Sequence, residues 1–282
     1  MNQELSSQVQ RMFAGLNNQS AAGALPAPGT LANLLSRHVV PTSATTIVAA
    51  PPRELVYFAT AAVEVWLRSV HSFLISVSLT KASPIWSSVA GYYSSHYSIR
   101  AFAHLFGVFH LHRKKRVVHL EKAANHFVFR IEKKQGGDRE HKLYWKYVKE
   151  HPQLAKDPFF YASQDDQPRS DGSHRNKANY SDHVDRFPVF LPLEAEYLEE
   201  RVERISTILF SDVPVPDADN FPDIENVQIV AYHRIVKFRQ LVDEALGTEN
   251  RFWKIQRNPS WCPKTLTFSV VDPVFAALYA GK

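Results

Sequence analysis

Cysteine and glycine are scarce in this chain, with one cysteine and ten glycines among 282 residues, and each scarcity excludes a class of site. A single cysteine, Cys262, cannot form an intramolecular disulfide or a cysteine-based zinc site. It lies between Trp261 and Pro263, with no histidine nearby in the sequence to activate a thiol. The glycines do not form the GxxxxGK or GxGxxG patterns, and GxSxG is missing too. These phosphate-binding loops and the hydrolase nucleophile elbow are therefore excluded.

The sequence also lacks an uninterrupted apolar run of the length that a membrane span requires. Its most apolar window, 55–79, contains Glu64, Arg68 and His71, each of which costs roughly a few kcal/mol in hydrocarbon. The first twenty residues have neither the basic start nor the apolar centre of a secretory signal. We therefore expect a cytoplasmic protein without a membrane segment, and a single cysteine fits a reducing compartment.

Histidine, in contrast, is abundant, with 13 residues in the chain. His110 and His112 alternate in "HLH", but no HExxH pair and no compact set of histidines and carboxylates has metal-ligand spacing. We interpret the histidines as core or surface residues, and we expect neither a metal ion nor a cofactor.

Aromatic and basic residues are also plentiful. Apolar residues make up 45% of the chain and include 18 Phe, 11 Tyr and 5 Trp, which is ample for a packed core. The formal net charge of +5 favours contact with polyanions. The densest basic region is "RKKR", followed by more cations and flanked by Phe127, Phe129, Tyr144 and Trp145, which are of the type that stacks on single-stranded bases. A solvated helix end and hairpin would give the same pattern. The predicted nucleic-acid-binding residues here are Arg113, Lys114, Lys115, Arg116, Lys133 and Lys134.

Apolar periodicity predicts a mainly α protein with four long helices, at about 53–79, 84–107, 193–210 and 223–246. Shorter helices are expected at about 3–16, 30–39 and 140–150. Val117-Val118 and "HFVFRIE" have β character, and Gly136-Gly137 is a turn signal, so we expect a small β-hairpin inserted between helices.

The predicted organisation has three parts. Residues 1–50 form a helical extension and connector, and residues 251–282 form a tail that packs on the bundle. Between them, 51–250 is the helical domain, with the β-hairpin near 116–140 and a long loop over 152–190. A loop of that length inside a compact domain is usually functional or mobile.

Two patches resemble the HEPN domain of bacteria and archaea. The first is "GYYSSHYSIRAFAHLFG" at 91–107, similar to the family's second helix, where the matching residues are Tyr92, Tyr93, His96, Tyr97, Arg100 and Ala101. The second is "RNKANYSDHVDRFPVFLPLEAEYLEERVERISTIL" at 175–209, in which Ala178 and Tyr180 match and Asn179 stands where the family has an acidic residue. By this resemblance Tyr93 and Tyr180 are structural, and His96 and Arg100 belong to the site.

The resemblance implies an up-and-down four-helix bundle that forms a homodimer. Some members are metal-independent endoribonucleases of toxin–antitoxin and antiviral defence systems, with Arg and His separated by four to six residues. Arg169 and His174 have that spacing, whereas seven residues separate Arg175 from His183. Histidine can move the protons of 2′-hydroxyl attack, and arginine can stabilise the crowded phosphate. We therefore name Arg169, His174, Arg175 and His183 as candidate catalytic residues. A hydrated loop with Tyr180 as an anchor is the alternative.

Two functions follow as hypotheses. The first is an RNA-directed HEPN-like protein, an endoribonuclease effector of bacterial defence or of a toxin–antitoxin system. The second is a non-catalytic HEPN-like module that binds a nucleotide, a nucleic acid or a partner protein. The expected partners are RNA or a nucleotide, a second copy of the chain, and a cognate protein such as an antitoxin or a nucleotidyltransferase.

Overall fold

A computed structural model describes residues 1–16, 28–79, 84–134, 140–154, 157, 160 and 223–257. The helices are α1 (Gln3–Ala14), α2 (Pro28–Ser36), α3 (Pro52–Leu79), α4 (Pro84–Leu105), α5 (Glu140–Lys149), α6 (Asp223–Leu246) and α7 (Arg251–Arg257). The strands are β1 (Thr45–Ala49), β2 (Val108–Leu111), β3 (Arg116–Ala123) and β4 (His126–Lys133), and the 3₁₀ turn His112–Lys114 follows β2. The prediction of a mainly helical chain with a small β part is confirmed.

Three of the four long helices are confirmed, because α3, α4 and α6 coincide with the predictions to within two residues. Prolines at 52 and 84 occupy the first helical position, where the missing N–H costs nothing. The fourth predicted helix, 193–210, lies outside the described residues. The hairpin is also confirmed as β3–β4, but the sheet has two strands more than predicted. Residues 45–49 were expected to belong to an extended connector. They are rich in β-branched residues, which favour strands, and they pair with β4 as an edge strand.

The chain divides into two compact units that interleave along the sequence. Unit 1 comprises Met1–Trp66, Ile99–Gln153 and Gln240–Lys254. Unit 2 comprises Leu67–Ser98, Leu154–Arg239 and Ile255–Lys282. Within the described ranges, no helix combines the length and the apolar character that crossing a membrane would need.

Unit 1 is built around the antiparallel sheet, whose strand order is β1-β4-β3-β2. Burial alternates along β4, with Phe127, Phe129 and Ile131 facing the core. Phe58 of α3 contacts Phe129 and Phe109, with ring centroids 5.7 and 6.1 Å apart. This aromatic cluster fixes α3 against the sheet.

A glycine turn connects α4 to β2 in unit 1. Gly107 has a φ of +81°, which L residues with a side chain rarely adopt. Its N–H donates to the carbonyl of His104 at 3.0 Å, and its own carbonyl accepts from the N–H of Leu120 at 2.7 Å. The turn therefore places the last residues of α4 beside the start of β2.

The start of α3 is tied to α2 by a histidine and a buried glutamate. The carboxylate of Glu54 is 3.2 Å from Nε2 of His38, and the His38 ring also lies against Phe129 at 6.2 Å. α2 itself packs against β2. These contacts hold α2 beside β2 and the start of α3.

Unit 2 packs its helices through small polar residues. Ser69 of α3 donates to the carbonyl of Ser94 on α4 at 2.7 Å, and Ser94 returns a bond to the carbonyl of Ser69 at 2.8 Å. A second reciprocal pair joins Ser76 and Ser87, with 2.7 Å in each direction. Buried hydroxyls are thereby satisfied where the helices approach closely.

Candidate functional site

Unit 1 contains a cavity of about 440 Å³, which we call the cationic cavity. Its volume lies within the roughly 300–1,000 Å³ that small-molecule sites occupy in proteins. Residues from α2, α3, α4, β2 and the 3₁₀ turn line it. Six of them are basic or imidazole side chains: Arg100, His104, His110, His112, Arg113 and Lys114.

The charge of this lining has one sign. Arg100, Arg113 and Lys114 carry permanent positive charges at neutral pH. No aspartate or glutamate is among the described residues that line the cavity. A concave surface lined by charges of one sign concentrates field lines and attracts ions of the opposite sign. The cationic cavity is therefore suited to a negatively charged ligand.

Exposure orders the lining from a mouth to an interior. His112, Arg113 and Lys114 are exposed, as is Asn33 on the facing helix α2. His104 and His110 are buried, and Arg100 is half-buried. The remaining lining is mostly apolar and includes Ala61, Val65, Phe109 and Leu111. The cavity thus combines a polar, cationic entrance with an interior in which apolar side chains surround one arginine and two buried histidines.

Arg100 is held by His104, one helical turn later on α4. The Nε–H of Arg100 donates to Nε2 of His104 at 3.4 Å, and Nδ1 of His104 donates to the carbonyl of Val108 at 2.9 Å. Both bonds require the same neutral tautomer, with the proton on Nδ1 and the lone pair on Nε2. The backbone of β2 therefore orients the imidazole, and the imidazole orients the guanidinium.

The surroundings of His104 keep it neutral. Complete burial, reinforced by the charge of Arg100, lowers the pKa of His104 to about 3, although the bond to the Val108 carbonyl opposes the shift. A histidine with this pKa does not release or take up protons near neutral pH. His104 therefore positions Arg100 and does not act as an acid or base.

Aromatic rings complete this arrangement. His104 stacks on Phe109 with centroids 4.9 Å apart and meets Tyr144 edge-on at 5.6 Å. The Cζ of Arg100 lies 5.6 Å from the centroid of the Tyr144 ring, within range of a cation–π contact. Arg100 is thus held both by a hydrogen bond and by a ring face.

The mouth of the cavity is shaped by the basic turn between β2 and β3. Lys115 adopts the left-handed conformation, with a φ of 50°, and ends the 3₁₀ turn. Arg116 then turns inward: it is buried and donates to the carbonyls of Ala44 at 3.2 Å and Pro41 at 3.4 Å. Arg116, predicted as a nucleic-acid contact, therefore anchors the turn, while Arg113, Lys114 and Lys115 remain exposed.

Other predicted binding residues lie apart from the cavity lining. Lys133 is exposed at the end of β4, and the N–H of Lys134 donates to the carbonyl of Lys115 at 2.9 Å. His96 belongs to unit 2, where its ring is nearly parallel to that of Tyr92 at 6.3 Å. Tyr93, predicted to be structural, packs its ring on Tyr92 at 5.3 Å.

The aromatic residues that flank the basic segment are core residues in large part. Phe127, Phe129 and Tyr144 are buried, and Trp145 is half-buried. The expectation that the first three stack on nucleic-acid bases is wrong, because their rings face the protein interior.

The candidate catalytic residues Arg169, His174, Arg175 and His183 lie outside the described residues, as does Tyr180. Of the predicted residues, the structure brings Arg100, Arg113 and Lys114 together in one cavity. The sequence reasoning missed His104, His110 and His112 as members of that site. The four-residue spacing of Arg100 and His104 on one helix was the only signal that pointed to their contact.

A second charged cluster lies on the sheet. Arg130 donates to Glu121 at 2.7 Å and also to Glu132, whose other oxygen is 3.0 Å from Nε2 of His119. Burial is the main cause that lowers the pKa of His119. Each charge here has a partner of opposite sign, so this cluster is a cross-strand network.

No protein-family model, curated protein or solved structure matches the chain at a significant level. In the part of the chain that the structure describes, no three His, Cys, Asp or Glu side chains converge closely enough to hold a metal ion. The lining of the cationic cavity is suited to an anion, and the HEPN relationship stays a prediction.

Proposed function

We propose that this chain is an RNA-directed protein that binds single-stranded RNA and receives one of its nucleotides in the cationic cavity. The observation that supports this proposal is the composition of the cavity lining. Its described residues include three permanent cations and three imidazoles but no carboxylate. The anionic group of a nucleic acid is the phosphate, and Arg and Lys bind it through charge-assisted hydrogen bonds.

The size and polarity of the cavity support a single nucleotide as the occupant. A volume of about 440 Å³ matches a drug-sized ligand. The apolar part of the lining, which includes Phe109 and Leu111, suits a base, and the cations suit its phosphate. Asn33 and Ser36 on α2 add donors and acceptors of the kind that bind a ribose hydroxyl.

The finer fold class belongs to the same proposal. A HEPN-like up-and-down bundle would use α3, α4 and α6 as three of its four helices. The first patch that resembles the HEPN domain falls largely on α4. Arg100 belongs to this patch and lines the cavity. The proposal includes a homodimer and a cytoplasmic setting in bacterial defence or a toxin–antitoxin system.

The test is fluorescence anisotropy with a labelled single-stranded RNA and with DNA of the same sequence. We compare the wild type with the double variant Arg113→Gln/Lys114→Gln at the mouth. Lys122→Gln is the matched control, because Lys122 is exposed on β3 and is not part of the lining. The double variant should weaken binding and lower the slope of log K against log salt by about 1.4, roughly 0.7 per phosphate contact on single strands.

Weakening of half that size by Lys122→Gln, which removes one charge where the double variant removes two, would mean that only the net charge matters and would contradict a role for the cavity. A preference for the RNA over the DNA is expected from the ribose hydroxyl. Absence of binding to either strand would refute the proposed function.

Ribonuclease activity is assayed on the same samples in EDTA. Cleavage by the wild type that is lost in Arg175→Ala or His174→Ala would support the catalytic hypothesis. RNA that stays intact while it is bound would favour the non-catalytic binding module.

A further inference from the structure

We propose that the RNA strand continues from the cationic cavity over three lysines, Lys115, Lys133 and Lys134, which bind its next phosphates. We call these three residues the lysine ridge. This inference rests on the proposed function and adds the length of single strand that the protein binds. Three observations support it: the charges of the ridge, its continuity with the cavity mouth, and its attachment to the sheet.

The first observation is that the ridge lysines have no carboxylate partner among the described residues. Two of them are exposed and Lys134 is half-buried, and none of the ion pairs within the described chain involves them. Glu132 precedes Lys133 on β4, but successive side chains of a strand point to opposite faces, and Glu132 pairs with Arg130 and His119. The ammonium groups of the ridge can therefore donate charge-assisted hydrogen bonds to phosphates.

The second observation is the continuity of the ridge with the cavity mouth. Arg113 and Lys114 line the cavity, and Lys115 is the next residue and ends the same 3₁₀ turn. The N–H of Lys134 donates to the carbonyl of Lys115 at 2.9 Å, which places the end of β4 beside that turn. A strand that leaves the cavity past the exposed cations of the mouth therefore meets further cations.

The third observation is that the backbone of the sheet holds cations of the same sign close together. Lys133 stands directly opposite Arg116 in the register of β3 and β4, and its N–H donates to the carbonyl of Ala44 at 3.2 Å. Arg116 is buried, and its guanidinium donates to the carbonyls of Ala44 and Pro41. Like charges in directly opposite positions destabilise a sheet. A bound phosphate would relieve that repulsion.

The chemistry of the ridge suits the backbone of a strand and not its bases. A lysine ammonium is a point charge with three donors and lacks the planar fork of arginine. Contacts to phosphates fix the register of a strand but do not read its sequence. The ridge should therefore strengthen binding of RNA and DNA equally, whereas the preference for RNA comes from the cavity. Two phosphates at the mouth and three on the ridge correspond to a bound strand of about six nucleotides.

The experiment measures anisotropy with a labelled trinucleotide, hexanucleotide and dodecanucleotide of RNA, each with hydroxyls at both ends. We expect the slope of log K against log salt to be steeper by about 2.1 for the hexanucleotide than for the trinucleotide, roughly 0.7 for each of three contacts. Raising the salt from about 50 to 200 mM should therefore weaken the hexanucleotide about 18-fold more. The dodecanucleotide should have the slope of the hexanucleotide, and DNA strands should show the same difference with length.

Two triple variants locate the effect. The ridge variant is Lys115→Gln/Lys133→Gln/Lys134→Gln, and its control is Lys122→Gln/Lys146→Gln/Lys149→Gln. Each removes two exposed lysines and one half-buried lysine of unit 1, so the change in net charge is the same. The ridge variant should lower the hexanucleotide slope to that of the trinucleotide. The control should keep the difference between the two strands, and thermal unfolding confirms that both variants are folded.

Equal salt slopes for the trinucleotide and the hexanucleotide in the wild type would overturn this inference and would leave RNA binding at the cavity intact. A control variant that loses the difference as fully as the ridge variant would assign it to net charge alone and would also overturn the inference. Failure of every strand to bind would remove the proposed function together with it. Ridge-dependent binding to vesicles of equal parts phosphatidylcholine and phosphatidylserine, without an effect of strand length, would assign the ridge to a lipid surface instead.

Discussion

At the scale of single residues, His104 determines how Arg100 is held in the cavity, although its own side chain is buried away from solvent. Its two ring nitrogens have opposite tasks, since Nδ1 donates to the backbone of β2 and Nε2 accepts from Arg100. Protonation would place a positive charge on Nε2 next to the arginine. The pair is therefore compatible only with a neutral imidazole.

The same arrangement predicts a pH dependence of folding. The unfolded chain takes up a proton on His104 near pH 6.5, whereas the folded chain does so only near pH 3. Between these values protons favour the unfolded state, so the free energy of unfolding falls as the pH decreases below 6.5. His151, stacked on Phe106 at 3.6 Å, adds to the effect, because burial lowers its pKa to about 4.

Chemical denaturation between pH 5 and 6.5 measures this slope, up to about 1.4 kcal/mol per pH unit for each such histidine. His104→Gln cannot titrate and should reduce the slope by about that amount, whatever its absolute stability. Asn125→Gln, at an exposed position and without a titratable group, is the control and should keep the wild-type slope. A wild type whose stability is constant over this interval would contradict the described environment of His104.

The sequence predicted part of this residue-scale picture. Arg100 was predicted as a site residue from the resemblance of α4 to the HEPN domain, and Arg113 and Lys114 were predicted from local charge density. His104 and His110 were interpreted as core or surface residues, since a histidine in an apolar stretch gives no sign of its partner. Arg116 belongs to the same basic run as Arg113, and only the fold shows that it points inward to Ala44 and Pro41.

At the scale of elements, the junction of α4 and β2 decides whether the site exists. α4 supplies Arg100 and His104, and β2 supplies Phe109, His110 and the Val108 carbonyl. Gly107 reverses the chain between them with a positive φ. A Cβ at this position would lie 2.7 Å from Cβ of Leu120, closer than real contacts allow.

Gly107→Ala should therefore destabilise the protein by roughly 2–4 kcal/mol, from backbone strain and from the clash. Gly247 offers a matched comparison, because it also has a positive φ of +76° but open space around its Cβ position. Gly247→Ala should cost roughly 1–2 kcal/mol, the strain alone. Urea unfolding of both variants gives the difference, and equal losses would show that the packing of the α4–β2 turn is looser than described.

Apolar residues at helical spacing, together with prolines at helix starts, were sufficient to predict the bounds of α3, α4 and α6 closely. The sheet was predicted less completely, because β1 depends on a partner distant in the chain and the short strand β2 directly follows the predicted helix 84–107. β1 pairs with residues of β4 that lie 79 to 87 positions later in the chain, and no local pattern indicates that pairing. The cavity depends on the same long-range packing, since α2 covers it only after docking on β2.

At the scale of the whole molecule, the net charge of +5 favours polyanions in general but does not select a binding surface. Within unit 1 the carboxylates are distributed unevenly. Arg130 on the sheet pairs with Glu121 and Glu132, whereas the described residues that line the cationic cavity include no aspartate or glutamate. This distribution, more than the total charge, is the reason that we propose the cavity as the binding site.

Hydrogen–deuterium exchange with and without a single-stranded RNA tests the central claim most directly, because it reports where the ligand binds. The account predicts slower exchange in peptides that cover 28–36 and 108–115, and little change in β3 near Lys122. Unchanged exchange around the cationic cavity, with protection confined to peptides that cover 169–183, would contradict it and would move the site to the predicted catalytic residues.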